Sequence, residues 1–253
     1  MRLPHLLYGL YERRLRAGLQ PDAIPRHVGV MMDGNRRWAR SMGESTAHGH
    51  RRGADKIADV LEWSEDVGVE VVTLWMLSTD NLARPAEELE PLLQIIEDVV
   101  GELASTRRWR LQAVGALEVL PDHTARALKE AQEATADVQG LHVNVAVGYG
   151  GRREIADAVR SFLREHAEAG SSLDELAEAF DVEHIAEHLY TRGQPDPDLV
   201  IRTSGEQRLG GFLLWQSTHS EFYFCEAYWP DFRRVDFLRA VRAYGARERR
   251  MGR

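Results

Sequence analysis

The sequence predicts a single α/β domain with a central, mostly parallel β-sheet of about six strands flanked by helices. First, short apolar segments alternate with segments of helical periodicity along most of the chain, as in sheets that helices cover on both faces. Second, apolar residues dominate segments 28–32 and 69–77, which is typical of strands buried on both faces. Third, polar or glycine-rich sequence directly follows several of these segments, which is where such sheets bind ligands.

Composition bounds the domain count and excludes some functions. The chain has 253 residues, of which 43% are apolar, and this is enough for one domain with a sizeable core. We predict an amino-terminal amphipathic helix over residues 1–22 and one larger domain over residues 23–253. The formal net charge of −8 argues against a nucleic-acid partner, because non-specific binding needs a basic face. The one cysteine, Cys225, excludes a disulfide bond within the chain.

The amino-terminal segment has leucines mostly on one helical face, at positions 3, 6, 7, 10, 15 and 19. The simpler interpretation is a helix that packs on the body of the protein. The alternative is a basic interfacial helix in peripheral contact with a membrane. We find no signal peptide and no apolar run of about 20 residues, so we expect a cytoplasmic protein.

The other elements are predicted from periodicity, glycine stops and proline positions. The strands are predicted over residues 28–32, 69–77, 110–115, 141–147, 199–201 and 222–224. The helices are predicted from Arg36, over 51–67, 86–104, 121–135, 153–166 and 235–247, with two short ones within 173–190. The polar segment 41–49 contains two glycines and is predicted to be a mobile loop that serves as a lid.

The end of the first strand has residues suited to a metal-bound phosphate. Asp33 ends the apolar run, Gly34 and Asn35 form a turn, and Arg36 and Arg37 begin a helix. The first N–H groups of a helix bind anions. Mg²⁺ takes oxygen ligands, often one carboxylate completed by substrate phosphates. The alternative is a helix cap followed by surface arginines.

A second strand end has a similar pattern. The strand at 199–201 leads into a glycine-rich loop with Arg202 and Arg208 six residues apart. Arginine side chains match phosphate oxygens in a bidentate geometry. Glu221 is a second carboxylate, just before the last strand. Polar residues 78–81 and 149–151 also follow strands, so we expect all these segments at one edge of the sheet.

Taken together, these stretches resemble the cis-prenyltransferases, the undecaprenyl diphosphate synthase family. Residues 27–39 carry the pattern His-x4-Met-Asp-Gly-Asn-x-Arg-Trp-Ala. Four further blocks follow in order, at residues 78–85, 144–151, 202–208 and 215–232. Five ordered blocks are far more specific than any single short motif.

The resemblance implies a fold with an apolar tunnel and a Mg²⁺-dependent reaction. In it, isopentenyl diphosphate attacks an allylic diphosphate (geranyl or farnesyl diphosphate), and loss of a proton leaves a cis double bond. Residues 23–253 would form the catalytic domain, in a homodimer. The metal would be bound by Asp33 and Glu221, the latter in the context of the dimer. Asn35, Asn81 and His50 are the candidates for handling the proton, and the sequence leaves this choice open.

The resemblance also assigns substrate contacts by position. The allylic diphosphate would be bound by Gly34, Asn35, Arg36 and Arg37, with Trp38 as a wall and His50 as a hydrogen-bonding partner. Ser78, Thr79, Asp80 and Arg84 would line the allylic pocket. Isopentenyl diphosphate would be bound by Arg202 and Arg208, with Leu209 and Gly210 beside them.

Several positions depart from the family pattern. Thr46 stands where many members have an arginine, Gly210 replaces a serine, Leu82 a tryptophan, Asp80 a glutamate and His219 a tyrosine. Met76 occupies a position that is small in long-chain members. With Leu82 and Met76, the chain resembles the short-chain actinobacterial branch, in which Z-farnesyl diphosphate synthases form a C15 product. We therefore predict that Met76 and Leu77 limit chain length.

Three other functions stay open. One is a longer-chain synthase that makes decaprenyl or undecaprenyl diphosphate. Another is a non-catalytic subunit of this fold, against which Asp33, Arg202, Arg208 and Glu221 argue. The third is a phosphate-ester hydrolase. Residues 184–188 fit the zinc pattern H-x-x-E-H, but such short patterns occur by chance.

Overall fold

The computed structural model describes residues 3–247, and side chains from Tyr8 onward. Residues 1 and 2 of the predicted amino-terminal helix and residues 248–253 of the predicted larger domain lie outside this part. The side chains of the leucines at positions 3, 6 and 7 also lie outside it. Six strands form one sheet: β1 His27–Met31, β2 Val71–Ser78, β3 Arg110–Val114, β4 His142–Tyr149, β5 Leu199–Arg202 and β6 Glu221–Phe224.

The sheet has the strand order β3-β4-β2-β1-β5-β6, and every neighbouring pair is parallel. Parallel neighbours require crossover connections, and helices provide most of them. The helices of the described part are α1 Leu3–Ala17, α2 Asn35–Met42, α3 Thr46–Val67, α4 Ala86–Thr106, α5 Asp122–Ala134, α6 Gly151–Glu168, α7 Leu173–Ala179, α8 Val182–His188 and α9 Arg234–Gly245. The predicted α/β fold is confirmed.

The two faces of the sheet pack against different partners. Alternate strand residues such as Val30, Leu74 and Val145 join the larger core with helices α3, α4, α5 and α9. On the other face, Met31 and Val200 pack with the aromatic residues of a smaller cluster. Both faces are therefore covered, which explains why the strands have so few exposed residues.

Helix α1 packs on the last helix, as the simpler interpretation predicts. Leu15 is buried against Val235 and Leu238 of α9. Leu10 stays 61% exposed, so a membrane contact of this helix stays a prediction. Within the described part of the chain, no helix combines the length and the apolarity needed to cross a membrane.

The predicted lid over residues 41–49 is wrong. Helix α2 continues to Met42, and α3 begins at Thr46, so only three residues link them. Gly43 ends α2 in the left-handed conformation, at φ 73°. The Ser45 hydroxyl then caps α3 by accepting a hydrogen bond from the His48 backbone N–H. The histidines at 48 and 50 therefore lie on a rigid helix.

Candidate active site

A cleft of about 650 Å³ opens at the carboxyl ends of strands β1, β2 and β5. Its lining includes fourteen of the residues predicted from sequence: Asp33, Gly34, Asn35, Arg36, Arg37, His50, Met76, Ser78, Asp80, Asn81, Arg84, Arg202, Arg208 and Gly210. Four segments far apart in sequence thus meet at one edge of the sheet, as parallel strands require.

The turn between β1 and α2 requires glycine at its centre. Gly34 has φ 106°, and a Cβ there would lie 2.7 Å from Cδ1 of Tyr228. The Thr203 hydroxyl donates to the Asp33 carbonyl at 2.6 Å, and the Trp229 backbone N–H donates to it at 3.1 Å. These contacts fix the Asp33 backbone between two loops.

The Asp33 carboxylate lies between two guanidinium groups. Arg202 Nη2 is 2.9 Å from Oδ2, and Arg37 Nη2 is 3.2 Å from Oδ1. Burial by itself would raise the pKa of Asp33, but the hydrogen bond and charge of Arg202, together with Arg37, lower it below its ordinary value. The group is therefore ionised at neutral pH.

Arg202 is placed by its own strand and by the loop that follows. Its side chain is 7% exposed, and it donates to the backbone carbonyl of Arg208, which holds the loop near the strand end. Its Nε is buried and has no hydrogen-bond partner among the described residues. A buried donor without a partner is costly, so this atom points to an anionic ligand. Arg208 is itself 72% exposed and lies 3.5 Å from Glu206.

The opposite wall holds a second cationic group. The Glu88 carboxylate of α4 lies 3.0 Å from Arg84 and 3.5 Å from Arg36 of α2. The Ser78 hydroxyl accepts from the Asn81 N–H at 3.2 Å, which shapes the end of β2. One carboxylate shared by two guanidinium groups leaves net positive charge on this wall.

Two polar atoms in this wall lack partners. Asn35 Oδ1 and His50 Nε2 are buried and make no hydrogen bond within the described part of the chain. Burial, with the charges of Arg84 and Arg36, lowers the pKa of His50 to about 4. Its imidazole is therefore neutral at pH 7, and Nε2 can accept or donate a hydrogen bond according to the tautomer.

Close packing of α2 on α3 positions Asn35. Both Gly49 and Gly53 of α3 face α2, and a Cβ at Gly49 would lie 2.4 Å from the Asn35 carbonyl oxygen. The Trp229 indole donates to the Gly53 carbonyl at 2.7 Å. The two glycines therefore allow the helix backbones to approach closely enough to bring Asn35 into the cleft.

We expect Gly53→Ala to lower the free energy of unfolding by about 1–3 kcal/mol through overpacking. The added Cβ would lie 2.3 Å from Asn35 Oδ1 and 2.8 Å from Trp229 Cδ1. Urea unfolding followed by circular dichroism measures the change. Gly101→Ala is the matched control in helix α4, because its Cβ would meet no other atom within 4 Å. It should be neutral or stabilising. Equal stability of Gly53→Ala and wild type would contradict the tight helix contact.

A β-bulge forms the inner end of the cleft. Trp75 pairs with Ala146 and Leu77 pairs with Val147, so Met76 is an extra residue on β2. Trp75 packs with the smaller cluster and Met76 with the larger core on the other face of the sheet, and both line the cleft. Because of the bulge, Leu77 lies on the same face as Met76. Met76 and Leu92 also line an adjoining space of about 30 Å³, which suits about one water molecule. The cleft narrows sharply there, and the predicted apolar tunnel stays a prediction.

The family assignment rests on the whole chain as well as on this cleft. A family model described as putative undecaprenyl diphosphate synthase matches residues 31–252. This chain belongs to that prenyltransferase family.

Two relatives and one solved structure agree with the assignment. A (2Z,6E)-farnesyl diphosphate synthase of Thermobifida fusca is 64% identical over 253 residues, covering 100% of this chain and 98% of that protein. A short-chain Z-isoprenyl diphosphate synthase of Mycobacterium bovis is 56% identical over 256 residues, with 100% and 98% coverage. A crystal structure of lavandulyl diphosphate synthase from Lavandula x intermedia, in complex with dimethylallyl diphosphate, has a TM-score of 0.83 at 33% identity and covers 90% and 98% of the two chains.

Four predicted residues of this prenyltransferase do not line the cleft. Trp38 is buried and stacks on His48, with ring centroids 6.0 Å apart. Thr79 packs against Gly150, and Leu77 is buried in the larger core, against which Met76 also packs. Leu209 is 41% exposed. None of these four side chains lines the cleft. Contact of these residues with a ligand stays a prediction.

Glu221 is also not brought to Asp33 within one chain of this prenyltransferase. It begins β6, paired in register with Leu199, whereas Arg202 beside the cleft pairs with Phe224. Three strand residues at about 3.3 Å each put Glu221 about 10 Å below the cleft edge. Its carboxylate pairs with Arg247. A metal role for Glu221 therefore stays a prediction that depends on a second chain.

Sequence reasoning did not assign five residues that line the cleft: Met31, Met32, Arg40, Trp75 and Leu92. Arg40 had a usable signal, since it follows Arg36 by one helical turn. Trp75 also had one, because it immediately precedes Met76 in the apolar segment that leads to Ser78. In the described part, no group of three or more His, Cys, Asp or Glu could hold a metal ion, and His184 instead accepts the Asp181 N–H as a helix cap.

Proposed function

We propose that this chain condenses isopentenyl diphosphate with an allylic diphosphate, geranyl or farnesyl diphosphate, to give a short-chain Z-prenyl diphosphate, most favourably the C15 product. The observation that carries the proposal is a single cleft lined by six arginines and Asp33 together with apolar Met76 and Leu92. Diphosphates fit the cationic side chains, and a short isoprenoid chain fits the apolar ones. The relatives named for short Z-prenyl products support the chain length.

The two diphosphates would bind on either side of Asp33. The N-terminus of α2, with Arg36 and Arg37, suits the allylic diphosphate because N–H groups and guanidinium groups converge there. Arg202 and Arg208 suit isopentenyl diphosphate, since the buried Arg202 Nε needs a partner. Holding the two substrates in line removes much of the entropic cost of their reaction.

The donor set around Asp33 fits Mg²⁺ bound together with substrate. Asp33 is one ionised carboxylate, and Mg²⁺ commonly binds through one or two carboxylates plus substrate phosphates. The ion would supply positive charge to the departing diphosphate. Asp33 would hold the ion, and Arg37 and Arg202 on either side of its carboxylate would bind phosphate oxygens. Diphosphate departure is thereby stabilised by groups already in place.

Proton loss from the condensed product needs an acceptor near the reacting carbons. His50, neutral with a pKa of about 4, and the amides of Asn35 and Asn81 line the cleft. His50 would be a weak base, and the unpartnered Asn35 Oδ1 would accept a hydrogen bond from a water molecule. The released diphosphate is a further acceptor in the same cleft.

A homodimer is proposed from the sheet edge. Strand β6 ends the sheet, and its Phe222 and Phe224 are half-buried and stacked on each other at 6.2 Å. An apolar edge strand of this kind is normally covered. A second chain on this edge would also place Glu221 near a metal site shared by the two chains. We propose a cytoplasmic enzyme, with peripheral membrane contact through α1.

We expect Met76→Ala to lengthen the product by one or more isoprene units, because Met76 lines both the cleft and the adjoining space of about 30 Å³. Deleting the side chain joins the two spaces, at a cost of about 2–5 kcal/mol in stability. Chromatography of the dephosphorylated products measures chain length. Leu77→Ala is the control, because its side chain lies in the core away from the cleft. An unchanged product distribution in Met76→Ala would show that Met76 does not limit the chain.

Incubation of the protein with Mg²⁺, labelled isopentenyl diphosphate and geranyl or farnesyl diphosphate tests the proposal directly. A Z-prenyl diphosphate of C15 is the expected product. Chains of C50 or longer would instead support the decaprenyl or undecaprenyl alternative. Release of phosphate without condensation would support a hydrolase, and absence of any turnover would support a non-catalytic subunit.

A further inference from the structure

Arg40 differs from the other arginines of the cleft because it has no partner. The five others each lie within 4 Å of a carboxylate; they are Arg36, Arg37, Arg84, Arg202 and Arg208. Among residues 3–247, the Arg40 side chain makes no hydrogen bond, ion pair or ring contact. Among the cleft arginines of the described part, Arg40 is therefore the one whose positive charge is not paired with a carboxylate.

The position of Arg40 is unfavourable without an anion nearby. It lies on α2 one turn after Arg36, and like charges four residues apart on a helix repel each other. It is exposed at the cleft, whereas Arg202 is buried deep within it. The chain as a whole carries a formal charge of −8, which repels a diphosphate that approaches from solution.

We propose that Arg40 steers diphosphate-bearing substrates into the cleft, and that its charge speeds their association through space without a direct contact in the complex. The inference rests on the proposed function, because it takes prenyl diphosphates as the incoming ligands. An exposed, unpaired arginine must lose rotamer freedom to hold a ligand, so its charge acts mainly through space. Charges at the rim of a binding site typically change the association rate and its salt dependence.

The test compares Arg40→Gln with Arg40→Lys and with Arg126→Gln. Arg126 is an exposed arginine on α5 outside the cleft, so its replacement changes the net charge equally. Stopped-flow tryptophan fluorescence would measure the association rate of farnesyl thiolodiphosphate, an unreactive analogue. One charge acting on a triply charged diphosphate at about 10 Å in water changes the rate by up to about eightfold at low ionic strength. Screening reduces the effect to below about twofold near 0.3 M salt.

We expect Arg40→Gln to associate about three- to eightfold more slowly at low ionic strength, with the dissociation rate unchanged. Arg40→Lys and Arg126→Gln should match wild type. Wild-type association of Arg40→Gln at low salt would overturn the inference. A loss that persists at high salt, or that appears in the dissociation rate, would overturn it too, because it would place Arg40 in the bound state.

Inorganic diphosphate separates this inference from the proposed function. Its dissociation constant for wild type and Arg40→Gln, measured by calorimetry at two ionic strengths, should show the same salt-dependent difference. If the prenyl analogue does not bind wild type while the inorganic diphosphate result holds, the proposed substrate is wrong and the role of Arg40 stands. If both proteins bind inorganic diphosphate equally at low salt, the role of Arg40 is wrong, whatever the substrate.

Discussion

Replacement of Asp33 by alanine is expected to lower kcat by about 10²–10³ or more, because a group that stabilises developing charge in the transition state is lost. Asp33 is the ionised carboxylate between Arg37 and Arg202 at the centre of the cleft. Steady-state turnover of isopentenyl diphosphate with an allylic diphosphate measures the loss. Circular dichroism of the same sample shows whether the variant is folded.

Loss of binding and loss of catalysis can be separated for this variant. Without Asp33, the two arginines lose their carboxylate partner, so inorganic diphosphate should bind Asp33→Ala at least as tightly as wild type in the absence of Mg²⁺. Asp59→Ala, which removes a carboxylate of α3 paired with Lys56 away from the cleft, should keep wild-type kcat. Near-wild-type turnover of a folded Asp33→Ala protein would contradict the role of Asp33.

Arg202→Ala is expected to raise KM for isopentenyl diphosphate by about 10–100-fold, because a charge-assisted, bidentate hydrogen-bonding group worth about 1.5–3 kcal/mol is lost. The buried position of Arg202, with Nε free of any partner in the described part, supports the large effect. Arg208→Ala should raise the same KM less, because its side chain is 72% exposed and water screens its charge. Saturation curves for both substrates measure the two effects.

Two comparisons serve as controls for this prediction. Arg152→Ala removes an exposed arginine from the start of α6, outside the cleft, and should leave both KM values unchanged. The KM of the allylic substrate should change little in Arg202→Ala. If that value alone rises, the two diphosphate subsites are the reverse of those proposed.

Some of the cleft was predictable because a general rule of parallel sheets acts on local sequence. Ser78 and Arg202 end β2 and β5, and Asp33 lies two residues after β1; parallel strands place their carboxyl ends at one edge. The strands themselves could be read from sequence because both faces are buried, which leaves apolar runs. Segments that follow this rule could be assigned to the cleft before the strand order was known.

Other predictions were wrong where a local signal had two interpretations. The segment with Gly43 and Gly49 suggested a loop, but Gly43 ends one helix and Gly49 lies within the next, where it permits close contact with Asn35. Met76 and Leu77 were both predicted to limit chain length, but Met76 lines the cleft, whereas Leu77 is buried in the larger core next to the bulge in β2. The pairing register of a single residue depends on the neighbouring strand, and the spacing of residues in the sequence does not reveal that strand.

Local patterns of apolar and charged residues were enough to predict the alternation of strands and helices, the chemistry at each strand end and the family of the chain. Which side chains share the cleft follows only from the three-dimensional packing. It buried Arg202 beside Asp33 and left Arg40 unpaired within the described residues. It also placed Glu221 at the far end of its strand. Such outcomes depend on distances between segments far apart in the chain, which only the packing of the sheet and its helices establishes.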